Sequence, residues 1–169
     1  MTAREFRESL ETEREWRSDE LAFFKRQLNF IPDETDKDRY RKGLVLILYS
    51  HWEGFVRFAL QSYVDCLNMT SVVNTESNLW YRVLKKNLDA IGLSPDILYK
   101  IGWSPDRFEH YQTAIDGLVE RRNVIAHGVF RNGVYERDFA VWERQISLAM
   151  TDITIMLYNK YMRSGAGEI

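Results

Sequence analysis

From about Asp38 to Leu67 the chain carries a helical pattern whose polar side chains Ser50, Glu53, Arg57 and Gln61 fall in one narrow stripe at about 100° per residue. The rest of that surface is apolar. Such a helix needs partners on nearly every side, so it predicts a bundle of which it is the central member. The flanking sequence supplies partners with the same period. Residues from about Arg4 to Phe30 repeat Phe6, Leu10, Leu21, Phe24 and Leu28 on a charged background. This reads as an amphipathic helix, with a break expected near Ser18-Asp19 and an end at Pro32 in the acidic stretch IPDETDKD. A third helix is predicted near Asn78 to Ile91, stopping at Gly92.

Two Ser-Pro-Asp steps follow, at Ser94 and Ser104, each reading as an N-cap with proline at the first helical position. The first predicts a short turn to Lys100 and the second a long helix. Asp138 is expected to cap a last helix to about Met162, with Phe139, Trp142, Ile146, Ile153 and Leu157 inward. Between these two, VFRNGVYER sets Asn132-Gly133 between short alternating segments and predicts a tight β-hairpin. The expected class is all-α: residues 1–169 form a single domain, a compact helical bundle of four to five main helices, with that short hairpin after the long helix.

Composition narrows the function classes. At 169 residues and 45% hydrophobic side chains the chain can fill one core. A lone Cys66 excludes a disulfide framework and a thiolate metal site. The N-terminal MTAREFRESLETERE lacks an apolar core, and LVLILY falls short of the roughly 20 residues that span a bilayer, so a cytoplasmic protein without membrane contact is expected. A net charge of −2 argues against coating nucleic acid; any RNA contact has to be local. Arg121, Arg122, Arg131 and Arg137 against Glu120 and Glu136 allow one modest basic patch. Ser50 beside His51 lacks a nucleophile elbow, and no phosphate-cradling glycine loop or dense carboxylate-histidine set is visible. No metal and no cofactor are expected. Trp52, Trp80, Trp103 and Trp142 read as core or interface anchors rather than base-stacking platforms.

The stretch RRNVIAHG, Arg121 to Gly128, ends the long helix and holds the candidate chemistry. Phe108, Tyr111, Ile115, Leu118, Val119, Ile125 and Ala126 share an arc of about 140°, and Arg122 falls in its middle. A guanidinium there requires a partner or a wet cleft, because burying it alone costs several kcal/mol. Asn123 and His127 are neighbours on the polar side. Arg122 and His127 are about 140° apart on an ideal helix, so they meet only if the helix unwinds near Gly128 or across a dimer axis. The bland alternative is an arginine that snorkels or pairs and a histidine that complements a helix C-terminus.

Arg122, Asn123 and His127 together resemble the R-x4-6-H motif of the HEPN superfamily, small all-helical domains common in bacterial defence and toxin systems. LYSHWEGFVRFAL, Leu48 to Leu60, also resembles the second helix of one prokaryotic branch. The resemblance implies a metal-independent ribonuclease acting as a homodimer, its two motifs lining a cleft at the interface. His127 would be general base or acid for attack of the ribose 2′-OH, Arg122 would stabilise the phosphate, and Asn123 would orient substrate or histidine. Arg121, His51 and Glu53 are auxiliary candidates. His51, among Leu48, Phe55 and Phe58, also reads as a hydrogen-bonded core residue, and Glu53 with Arg57 as a solvent-facing pair. In relatives silenced by adenylylation a tyrosine follows the motif histidine by two residues; here Val129 stands in that place, so that control is not expected. An antitoxin or a sensor protein stays open as a partner. The competing reading is a non-catalytic HEPN-like module for nucleotide binding or protein-interaction dimerisation, whose Arg122 and His127 hold a phosphate or carboxylate without cleaving it.

Overall fold

The structure, a computed structural model, describes residues 1–70, 78–93 and 106–165, and for 106–110 the backbone alone. Thr2 and Glu5 start the first helix reciprocally. The Thr2 hydroxyl accepts from the Glu5 N–H at 3.2 Å, and the Glu5 carboxylate accepts from the Thr2 N–H at 2.8 Å. Helix α1 then runs Ala3–Arg26 without interruption. The break expected near Ser18-Asp19 is absent. Both side chains face solvent and do not compete for the backbone. Ion pairs Arg4–Glu8, Arg7–Glu11 and Arg17–Glu13, each four residues apart at 2.7, 2.8 and 2.5 Å, support the turns before that point.

A 3₁₀ turn, Gln27–Phe30, closes α1, and Asp33 caps α2, Glu34–Cys66, by accepting from the Asp36 N–H at 3.0 Å. The acidic stretch therefore ends one helix and also begins the next, about a turn before the apolar pattern starts. As the stripe predicts, α2 is central: Trp52, Phe55, Val56 and Ala59 are fully buried, while Ser50 and Gln61 are exposed. It packs against α1, against α4 at Asp106–Ala126 and against α5 at Glu136–Arg163. The short α3, Tyr81–Ala90, leans on α4. Phe6 ties the N-terminus into the core, its ring 4.9 Å from Tyr161 and 6.3 Å from Tyr63. The bundle is all-helical, as expected. The predicted caps at Ser94 and Ser104, the turn to Lys100, Trp103 and the Phe108 side chain lie outside the described residues.

Two expectations at the C-terminal end are corrected. Asp138 does not cap α5; Tyr135 holds the N-cap position, and Asp138 lies in the first turn, where its charge still complements the helix dipole. The hairpin around Asn132-Gly133 does not form, and among the described residues there is no strand. The segment's polar groups turn to α2 instead of to each other. The Val134 N–H donates to the Asp38 carbonyl at 2.9 Å, and Lys42 Nζ donates to the carbonyls of Phe130 and Arg131 at 2.8 and 3.1 Å. A Cβ on Gly133 would come within 2.3 Å of Asp38 Cβ, so the glycine serves close approach to α2 rather than a turn. No described helix is long and apolar enough to cross a membrane.

Candidate functional site

Helix α4 delivers the motif and then stops sharply. Gly128 has φ +69°, the Val129 N–H returns to the Val124 carbonyl at 3.0 Å, and the Gly128 N–H to Ile125 at 3.0 Å. These bonds form a Schellman cap, whose left-handed residue favours glycine. The His127 N–H still bonds the Asn123 carbonyl at 3.0 Å, so the helix is regular up to the cap. On one chain Arg122 and His127 therefore keep their separation of about 140°. His127 is exposed, and its ring has no partner among the described residues.

Arg122 is half-buried and held from three sides. Its guanidinium lies 4.8 Å from the centre of the Tyr49 ring on α2. Its Nη1 donates to Asn123 Oδ1 at 2.9 Å and to Asn78 Oδ1 at 3.2 Å, while Asn78 Nδ2 donates to Asn123 Oδ1 at 3.0 Å. The arginine that looks misplaced on the apolar arc thus has its partners within the monomer. Asn123 bonds Arg122 rather than His127 through its side chain.

The backbone that follows Asn78 is itself fixed. The Leu79 N–H donates to the Tyr49 hydroxyl at 3.1 Å, and the Tyr81 N–H donates to Asp116 Oδ1 on α4 at 2.9 Å. Burial pushes the Tyr49 phenol above its ordinary pKa, and the nearby Glu53 carboxylate adds to this; the Leu79 N–H and the Arg122 charge pull the other way. Glu53 is therefore close to this cluster, and it also pairs with Arg57 at 2.9 Å.

The other candidates lie elsewhere. Arg121 stacks on Phe130 at 4.2 Å and faces Trp142 at 5.8 Å, on the α5 side of α4. His51 is buried against α1, with Nε2 2.7 Å from Glu20 Oε2 and Trp16 edge-on at 5.5 Å between ring centres. Tyr49 and Asn78 are not among the residues that sequence reasoning singles out. Tyr49 is one helical turn before Glu53, beside the polar stripe, which is a weak signal. Asn78 precedes its helix and gives none.

A family model described as RiboL-PSP-HEPN matches residues 66–159, more than half of the chain and including RRNVIAHG. A second HEPN family model matches residues 6–76, which cover most of α1 and all of α2. No curated protein and no solved structure matches.

Proposed function

Since this chain belongs to the HEPN superfamily, whose members are often ribonucleases, we propose that it is a metal-independent RNA endonuclease, a toxin or defence effector with its active site at a homodimer interface. The observation that carries the reading is the contrast within one helix end. Arg122 is held rigid by Tyr49, Asn78 and Asn123, while His127, five residues on, is exposed and unpartnered among the described residues. A phosphate needs a preorganised charge and a proton needs a free imidazole. Because α4 stays regular through the His127 amide, a second copy is the simple way to bring the other half of the chemistry to the same phosphate.

In this mechanism His127 takes the proton of a ribose 2′-OH as O2′ attacks the adjacent phosphorus. The P–O5′ bond breaks, and O5′ receives a proton from the histidine of the second copy. The products are a 2′,3′-cyclic phosphate and a 5′-hydroxyl. Arg122 stabilises the charge that gathers on the phosphate oxygens, with Asn123 and Asn78 fixing the fork. The test is incubation of total RNA with EDTA, comparing wild type, Arg122→Ala and His127→Ala. Wild type is expected to leave cyclic-phosphate ends, and each variant to lose about 10²-fold or more in rate with an unchanged fold and dimer. Undiminished cleavage by His127→Ala would remove the histidine from the mechanism.

A further inference from the structure

Beside the motif, α4 and α5 leave a groove between them. Helix α4 lines it with Gly117, Glu120, Arg121 and Val124, and α5 with Trp142; the space is about 530 Å³ counting its open mouth. The same face of α4 carries His127 just past its end. Glu120 and His127 are seven residues apart, so they lie about 10 Å from each other along the axis and differ by only about 20° around it. The groove therefore leads toward the exposed histidine that the proposed cleavage uses.

Three polar groups in this groove lack partners and remain within reach of a ligand. Glu120 is exposed, and its carboxylate makes no hydrogen bond or ion pair among the described residues. Arg121 is half-buried, and its guanidinium makes ring contacts only, 4.2 Å from the centre of Phe130 and 5.8 Å from that of Trp142. Such contacts use the face of a guanidinium and fix its plane, while the N–H donors in that plane stay free. The Trp142 indole N–H has no hydrogen-bond partner among the described residues and, unlike that of Trp52, is not buried. Gly117 keeps the approach to it open, since a Cβ there would stand 3.3 Å from Trp142 Nε1. Glycine weakens a helix interior, and what this position gains in return is that open space. The nearby Glu143 is taken up by Lys25 at 2.6 Å. The lining thus holds one carboxylate and one guanidinium, with no net charge between them.

We propose that this groove reads a guanine base of the RNA strand, close to the phosphate that is cut. A groove without net charge does not select a phosphate; it matches a flat, dipolar, uncharged ring. Guanine carries two adjacent donors, N1–H and N2–H, and two adjacent acceptors, O6 and N7. The Glu120 carboxylate accepts from the donor pair, and the Arg121 fork donates to the acceptor pair. The Trp142 N–H adds a further donor, and Val124 gives the ring an apolar contact. Adenine sets its N1 lone pair against the carboxylate, uracil offers a single donor between two carbonyls, and cytosine has donors at N4 alone. Trp142 acts here as a wall and a donor, packed against the core, rather than as a stacking platform. The proposal rests on the RNA reading of the motif and names the base that reading leaves open.

Fluorescence anisotropy of labelled hexanucleotides with the full chain tests it. The probes are 2′-O-methyl RNA, which cannot be cut by 2′-OH attack: oligouridine, and the same strand with a single guanine or a single adenine. Wild type is expected to bind the guanine strand about fivefold or more tighter than the other two. Glu120→Gln and Arg121→Ala should each bring that ratio close to unity, with circular dichroism to verify the fold. The ratio is the readout because a change of protein charge shifts the binding of every strand alike. Both side chains reach solvent, so both variants are expected to fold. Cuts by wild type in total RNA should then carry guanine at one fixed distance from the broken bond. Equal binding of the three strands, no binding of any, or a guanine preference that survives both variants would overturn the proposal. Guanine preference on the uncut strands without any cleavage of total RNA would overturn the nuclease reading and uphold the base reading; cleavage without base preference would do the reverse.

Discussion

Arg122 and Arg17 both sit on the inward side of a helix, and the surrounding structure treats them differently. Both guanidinium groups lie over an aromatic ring, Arg122 over Tyr49 and Arg17 over Trp16, and Arg122 also donates to the amide oxygens of Asn78 and Asn123. Arg17 has one carboxylate and one carbonyl on Nη1, while its Nε is buried and unpartnered. A satisfied arginine in a polar network is preorganised, which suits a group that must meet charge developing on a substrate. An arginine with a buried, unpartnered donor keeps an unmet hydrogen bond, and Arg17 Nε does so against Gly54 of α2. The same residue type on two helix faces thus meets two environments, and the difference lies in the neighbours alone.

Substitutions can break or sharpen that comparison. The largest effect on stability is expected at Tyr49, which is 1% exposed and supports the Arg122 network from below. Tyr49→Ala should cost about 3–5 kcal/mol in denaturant unfolding, as for other large buried aromatics. Tyr49→Phe keeps the ring, and should cost about 1 kcal/mol for the lost bonds to the Leu79 N–H and Asn78. A loss as large in Tyr49→Phe as in Tyr49→Ala would mean that the hydroxyl, not the ring, carries the network.

Next is Asn78→Ala, which removes the oxygen that accepts from Arg122 and the amide that donates to Asn123. It should destabilise by about 1–2 kcal/mol and lower RNA cleavage without changing the pH at which cleavage is half-maximal. A shifted pH profile would instead couple Asn78 to His127.

Arg17→Met is the direct contrast. Replacing both partners of a buried ion pair by apolar side chains is often neutral or stabilising, so Arg17→Met combined with Glu13→Leu should unfold within about 1 kcal/mol of wild type. A loss of several kcal/mol would show that the Arg17–Glu13 pair stabilises the fold by more than apolar packing can replace. The smallest effect is expected at Arg4, exposed and paired with Glu8 at 2.7 Å; Arg4→Ala should leave the thermal unfolding midpoint unchanged within the error of the measurement. A larger change there would call the other stability comparisons into question.

Much of the fold was legible in the sequence because helical periodicity is a local property. The stripe of Ser50, Glu53, Arg57 and Gln61 identifies α2 as central, and Gly92 and Gly128, both with φ +69°, stand where the helix ends were read. The misreadings were local as well. Ser18-Asp19 looks like a break because those residue types bond the backbone in short segments, yet on a helix fixed by packing they face water. Asn132-Gly133 looks like a hairpin turn because the pattern cannot register that α2 takes the bonds a partner strand would need.

The candidate site divides in the same way. Arg122 could be singled out from sequence because a charge in the middle of an apolar arc conflicts with its neighbours on the same helix. Arg17 escaped notice because the many charged residues of α1 hide an inward one. Residue order by itself determined that this chain is a helical bundle around one apolar helix, with an arginine and a histidine at the end of another, since each follows from spacing along a single segment. Only the tertiary structure decided that Tyr49 and Asn78 hold Arg122 and that Trp142 stands with Glu120 and Arg121 in one groove. Hydrogen bonds and ring contacts act over a few ångströms, and these groups reach that range only when segments distant in sequence pack side by side.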